Sequence, residues 1–296
     1  ELSVEFGSGT VHKITPSTNV LYKTLQQAQS GDVIELGKGH YVASRTLPVD
    51  KVITFTGKAG VSISFERKSL FVIEDGGSLA LKNIVITGAD APDSAGNSLI
   101  RNTRLPTINN YRLVMDNVVV KDLDINHSFH VIDSGYRALA DAITITNSQF
   151  SNITGDVLRL NKEQDDLGIY NAEYVTLDRN VFQDIEGTLM NVYRGGTDES
   201  TFGPHVTVTA NTIKNVGLGK RNKSKALMTL HGVQVTNILN NTFTNVPAIA
   251  IEHTVGEPQT RIQYNQFMDS PEPVVQELFT QGPLTAVVSD NRFIAN

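Results

Sequence analysis

The chain has no cysteine and no tryptophan among its 296 residues. Without cysteine it forms no disulfide and does no thiolate chemistry, although that alone does not locate a compartment. Without tryptophan it lacks a common platform for sugar rings, a role left to its eight tyrosines and seven histidines. No apolar run approaches the ~20 residues that a membrane-spanning helix needs, so no membrane partner is expected. No block of like charge forms a tail, and no Pro-, Ser- or Gly-rich linker divides the chain. A net charge of −6 argues against general nucleic-acid binding. Glu1 opens no signal peptide, so the chain reads as a mature or excised piece.

What the sequence does contain is a short returning pattern, Asn-x-apolar-x-Asn/Asp. It reads Asn-Val-Phe-Gln-Asp over 180–184, Asn-Thr-Ile-Lys-Asn over 211–215, Asn-Thr-Phe-Thr-Asn over 241–245 and Asn-Gln-Phe-Met-Asp over 265–269. Looser copies begin at Asn83, Val118, Ser148 and Asn291, and from Val118 the first members step by 30, 32, 31, 30, 24 and 26 residues. A period of about 20–50 residues, in units too small to bury their own apolar face, signals a stacked repeat architecture.

Each unit carries two short strands. One alternates with period two, as in 142–146, 174–178, 205–209 and 235–239; the other follows at 157–161, 189–193, 227–231 and 249–253. Stacked in register, such strands bury a continuous apolar column and satisfy their backbone along the axis. Asparagines at equivalent turns can ladder from coil to coil and tolerate left-handed turn geometry. The expected fold is therefore all-β: a right-handed parallel β-helix forming one domain over 1–296, the handedness being that of the fold class rather than something the spacing dictates. A short helix is expected within about 18–30, with Leu21, Leu25 and Ala28 on one face, Thr18 or Asn19 as cap and Ser30-Gly31 as stop. It would close the N-terminal end, where an open coil exposes core and strand edges.

In such a solenoid, chemistry belongs to outward positions of one sheet. In the second strand the inward series is Leu158/Leu160, Met190/Val192, Met228/Leu230 and Ile249/Ile251, which turns Arg159/Asn161, Asn191/Tyr193, Thr229/His231 and Ala250/Glu252 outward. Lys162, Arg194 and His253 lie just past strand ends. With about 4.8 Å between coils, these side chains would line one wall across four coils, fit for an extended polar ligand. A lone Lys or Arg at a strand end normally just points into water; the clustering is what suggests function. Lys214, Lys220, Arg221, Lys223 and Lys225 add a basic loop to a net-acidic protein, suited to steering a polyanion. The Gly217–Gly219 spacing lacks the strand–loop–helix context of a phosphate loop.

The run from Leu25 to Tyr41 (Ala-x-x-Gly-Asp-x-Ile-x-Leu-x-x-Gly-x-Tyr) resembles the start of many polysaccharide-processing β-helices. The block Gly155–Gly217, with Leu-Arg-Leu-Asn-Lys over 158–162 and Tyr-Arg-Gly-Gly-Thr-Asp-Glu-Ser over 193–200, resembles the family-six polysaccharide lyases, the alginate lyases and chondroitinase B relatives. The likeness is greatest to the C-terminal β-helix domain of two-domain alginate lyases. The resemblance implies β-elimination on a polyuronate: a base takes the proton at C5, a cation stabilises the enolate, and an acid protonates the leaving oxygen. It implies a Lys base in a Lys-Ser context, an Arg in an Arg-His-Gly context and a calcium ion on the substrate carboxylate. The equivalents here are Lys162, followed by Glu163, and Arg194, followed by Gly195-Gly196, so neither motif is intact.

The catalytic candidates are thus Lys162, Arg194, Tyr193 and His231. The substrate-binding candidates are Arg159, Asn161, Asn191, His253, Lys220, Arg221, Lys223 and Lys225. No calcium ligand set stands out beyond Asp198 and Glu199. The same resemblance implies a secreted or periplasmic bacterial setting, alginate as partner and a catalytic β-helix domain outside this chain. A lyase in its own right and a non-catalytic accessory domain used for binding, support or dimerisation both remain open, as does a homodimer.

Overall fold

The computed structural model describes residues 3–103, 109–164 and 168–296. Among them the only helix is Val20–Gln27; all else regular is strand. A nine-stranded sheet stacks Leu47–Val49, Phe71–Ile73, Asn97–Asn102, Phe129–Asp133, Leu158–Leu160, Met190–Tyr193, Met228–His231, Ile249–His253 and Val274–Glu277 in chain order. Every neighbouring pair in it is parallel. Parallel pairing of each strand with its counterpart one coil later is the signature of a parallel β-helix, and a second, nineteen-stranded sheet wraps the remaining faces.

The repeat motif has a physical reading at each of its positions. Its first residue points inward as a ladder: Asn180 Nδ2 donates to Asn211 Oδ1 at 3.0 Å, Asn211 to Asn241 at 3.0 Å, Asn241 to Asn265 at 3.0 Å and Asn265 to Asn291 at 3.0 Å. Its central residue fills a core column of Phe150, Phe182, Ile213, Phe243 and Phe267, which exposed Phe293 extends at the last coil. Ring centroids there lie 5.0 Å apart for Phe150–Phe182 and 4.8 Å for Phe243–Phe267, the rings stacked nearly parallel in each case. A buried ring of this kind is worth about 1.5–3 kcal/mol in apolar burial. Its last residue turns the corner in the left-handed region: Asp122, Asn152, Asp184, Asn215, Asn245 and Asp269 have φ between +49° and +59°. Asn and Asp are the side chains that tolerate this geometry best after glycine.

The strand alternation read from sequence places Leu158, Leu160, Met190, Val192, Met228, Leu230, Ile249 and Ile251 in the core, all fully buried. Leu21, Leu25 and Ala28 of the helix join the same core. The helix ends are made differently from the expected caps. Asn19 sits in a left-handed conformation with no side-chain cap bond. Its Oδ1 instead accepts from Ser44 Oγ at 2.7 Å. The helix stops at Gln27, ahead of Ser30-Gly31, and Lys51 Nζ donates to the Leu25 and Ala28 carbonyls at 2.8 and 2.7 Å.

Below the helix, Asp32 ties the first coil together by accepting from Thr10 N and Gln29 N at 2.9 Å and His12 Nε2 at 2.8 Å. The Gln29 N–H, then the His12 ring, hold its carboxyl below the usual range. A depressed folded pKa contributes stability above the unfolded value, and that contribution disappears as pH falls through the folded one. Asp32→Asn is therefore expected to lower the melting temperature at neutral pH, costing about 1–3 kcal/mol. The gap to the parent should close below about pH 4. A gap unchanged across that range would remove Asp32 from the acid response.

Candidate functional site

Outward side chains of the nine-stranded sheet form a trough around Arg159. Three adjoining depressions of about 480, 480 and 510 Å³ share Arg159 in their walls. One end is the basic loop, contributing Lys220, Arg221 and Lys223; the other is Lys162, beside Tyr136 and Gln164. The loop precedes the strand edge and Lys162 follows it, so the trough runs along the strands, across the coils of Phe129–Asp133 and Leu158–Leu160 and as far as Asn191 on the next. The outward face continues in register along the axis, from Arg159 through Asn191 and Thr229 to Ala250, but the depressions do not extend beyond Asn191.

Local packing fixes each element of the trough. Gly155 passes so close to Phe129 that a Cβ would sit 2.5 Å from its backbone, which brings Asp156 against the preceding coil. Asp156 Oδ1 is then held by Thr188 N at 2.7 Å and Thr188 Oγ1 at 2.9 Å. The segment after Leu160 is pinned by fully buried Asn171, whose Oδ1 accepts from Lys162 N at 2.8 Å while its amide donates to the Gly135 and Ala138 carbonyls. Glu163, where the lyase motif carries Ser, is buried and accepts the Arg137 N–H. Lys162 Nζ projects over the Tyr136 ring, 5.4 Å from its centroid. Arg221 acts as a latch: it donates to Glu186 Oε2 at 3.1 Å and to the Asn126 carbonyl at 2.6 Å, which fixes the basic loop over the earlier coils. Its guanidinium is thereby largely committed, leaving Lys220 and Lys223 as the exposed charges of that wall.

Of the residues expected from sequence, Arg159, Asn161, Lys162, Asn191, Lys220, Arg221 and Lys223 line the trough. Tyr193 and His231 share the sheet face further along the axis, stacked on each other at 4.5 Å. His231 Nδ1 faces Glu252 Oε2 at 3.4 Å. Lys225 is exposed but occupies a left-handed turn outside the trough walls. Two expectations are overturned. His253 is fully buried and its Nε2 meets Thr260 Oγ1 at 2.9 Å, because alternation from Ile249 and Ile251 carries it inward. Burial pushes its ring pKa down. Arg194 is 3% exposed for the same reason, one step beyond outward Tyr193. Its guanidinium donates to the Gly195 carbonyl at 2.6 Å and grips Asp198 at 3.3 Å.

The trough also contains residues that strand reading missed, His130, Asp133 and Asp156. Asp156 lies on the turn just ahead of Leu158–Leu160; His130 and Asp133 belong to the preceding coil, where the outward series breaks: Val131 and Ile132 are both buried between outward His130 and Asp133. Extending the register Asp133↔Arg159 one coil back was the available signal. Arg159 Nη1 lies 3.2 Å from His130 Nε2 and 3.6 Å from Asp133 Oδ2. Burial holds the His130 pKa down, against the pull of Asp156 and Asp133.

Neither a protein-family model nor a curated protein matches the chain. Among solved structures it is similar to the PL6 family alginate lyase AlyGC and to an arginine-to-alanine variant of that enzyme. Each is 46% identical with a TM-score of 0.97 over 99% of this chain. The chain belongs to the family-six polysaccharide lyases. It spans 41% of the length of those relatives.

Within this lyase family member the two residues that stand nearest the family's catalytic pair have parted company. Lys162 lines the trough, whereas Arg194 is buried outside the trough walls and serves the Asp198 loop. Among the described residues calcium finds no fitting ligand set. Both Asp198 oxygens face Arg194, and among the described residues no group of three or more His, Asp or Glu side chains is placed to hold a metal.

Proposed function

We propose that this chain is a polyuronate-binding β-helix of an alginate lyase, an accessory domain that holds alginate while a catalytic β-helix elsewhere in the enzyme performs the β-elimination. The observation that carries the reading is the burial of Arg194 in protein contacts while Lys162 lines the trough. A trough lined by Arg159, Lys162, Lys220 and Lys223 attracts a chain of carboxylates, yet the arginine needed beside the base is buried in protein contacts. The match to two fifths of a longer alginate lyase supports a partner domain, and an extracellular or periplasmic setting accords with a polymer substrate. Among the described residues no helix is long and apolar enough to cross a membrane. Calcium and a homodimer belong to this proposal only as conditions to be varied in its test.

The second reading, a lyase in its own right with Lys162 as base, draws on the open position of Lys162 at the trough end. Calorimetric titration with alginate, alongside ultraviolet absorbance of the unsaturated uronate product with and without calcium, separates the two. Binding with flat absorbance is the expected result. A rise in absorbance that Lys162→Ala abolishes would replace the accessory reading with the catalytic one. Neither heat nor product would refute both.

A further inference from the structure

Two hydrogen-bond donors face one another on the floor of the trough with no protein acceptor between them. His130 Nδ1 accepts the Asp156 backbone N–H at 2.9 Å, so the neutral ring carries its proton on Nε2. That Nε2 lies 3.2 Å from Arg159 Nη1. Both are N–H groups and neither can accept from the other. The surrounding carboxylates do not resolve the mismatch. Asp156 Oδ2 stands on the opposite edge of the ring, 3.4 Å from Nδ1, and Asp133 Oδ2 lies 3.6 Å from Arg159 Nη1. Among the described residues the Arg159 guanidinium donates to no oxygen within hydrogen-bond distance, an unusual state for a group with five N–H donors.

We propose that His130 and Arg159 form a carboxylate clamp in which Nε2–H and the guanidinium together hold one uronate carboxylate at the centre of the trough. The clamp rests on the polyuronate-binding reading and deepens it in two ways. It assigns specificity to His130, since a neutral sugar of the same shape offers the two donors no charged acceptor, and a charge-assisted hydrogen bond is roughly twice as strong as a neutral one. It also sets the direction of the bound polymer. Lys223 lines the trough on one side of the clamp and Lys162 on the other, so flanking uronates lie along the strands rather than along the solenoid axis.

Three variants and a neutral ligand test the clamp by calorimetry with a short mannuronate oligomer. Asparagine places an acceptor where Nδ1 stands but has no donor at Nε2, whereas glutamine reaches the Nε2 position with an N–H. His130→Asn is expected to weaken binding at least about tenfold at an unchanged melting temperature. His130→Gln should retain most of the affinity, and an uncharged mannose oligomer of equal length should not bind. Lys13→Ala, exposed on the first strand and in none of the trough walls, should behave as the parent. Should the Asn variant not fold, the imidazole Nε2 resonance of the parent reports directly: it must shift on adding the oligomer. Parent binding with an unaffected His130→Asn, a Gln variant as weak as Asn, or an unmoved Nε2 resonance would each overturn the clamp alone. A parent that does not bind the oligomer would overturn the polyuronate reading and the clamp with it.

Discussion

Arg159→Ala is expected to weaken alginate binding by about 1.5–3 kcal/mol, roughly ten- to a hundredfold, with little loss of stability. The size follows from position and surroundings. Arg159 lines all three depressions of the trough, and its side chain is more than one-third exposed, so little packing is lost with it. Removing it takes away a two-pronged carboxylate partner and strips Asp133 of the cation 3.6 Å from it. The floor of the trough then turns from basic to acidic, and a polyanion meets repulsion where it had attraction. Arg159→Lys should recover only part of the loss, because an ammonium keeps the charge without the planar fork. Added salt should weaken the parent more than Arg159→Ala, since the exposed share of the attraction is screened within about 8–10 Å. Arg194→Ala makes the opposite contrast. Its guanidinium never reaches the trough, so it should lower the melting temperature and leave the affinity of the folded protein unchanged. Calorimetry and thermal melting on the two variants decide the matter, and equal affinity losses would place Arg194 back at the site.

The difference between those two arginines shows what a single sequence can and cannot reveal in this fold. The repeat made the coil visible because each motif position answers to one physical demand: a laddering amide, a core ring, a left-handed corner. The inward series of the second strand was legible for the same reason, as Leu158 through Ile251 show. The same alternation, carried one residue further, also buries Arg194 and His253. Treating residues past a strand end as outward ignored that the backbone keeps its pleat under a covering loop. The course of the trough was harder to read. It depends on Arg221 reaching back 95 residues to Asn126 and on Asn171 pinning Lys162, contacts that no local pattern announces. His130 was hidden by the irregular burial of Val131 and Ile132, which disguises its strand as non-alternating.

The same ladder that made the fold legible should be its most sensitive internal point, and Asn211 sits at its middle. Its Oδ1 accepts from Asn180 N at 2.9 Å and Asn180 Nδ2 at 3.0 Å, while its own amide donates to the Leu177 carbonyl at 2.9 Å and to Asn241 Oδ1 at 3.0 Å. Asn211→Leu matches the volume but strands an N–H and a carbonyl of neighbouring coils away from water. Each buried orphan costs about 1–3 kcal/mol, so a loss of about 2–6 kcal/mol is expected, a large fraction of the stability of an ordinary domain. Asn211→Asp should do no better: a carboxylate can accept from Asn180 but faces the Leu177 carbonyl with no proton to give and buries a charge. Position along the axis supplies the control. Asn291 makes the corresponding bonds in the last coil, to the Ile262 carbonyl and from Asn265, but it is only part-buried, so water can replace them. Asn291→Leu should therefore cost less than half as much. Because each coil of a solenoid leans only on its neighbours, the damage should begin locally. Amide exchange at Asn180 in Asn211→Leu should accelerate before the strands near Leu36 lose protection. Uniform acceleration along the chain would mean that the coils unfold as one unit and that the ladder is not a local weak point.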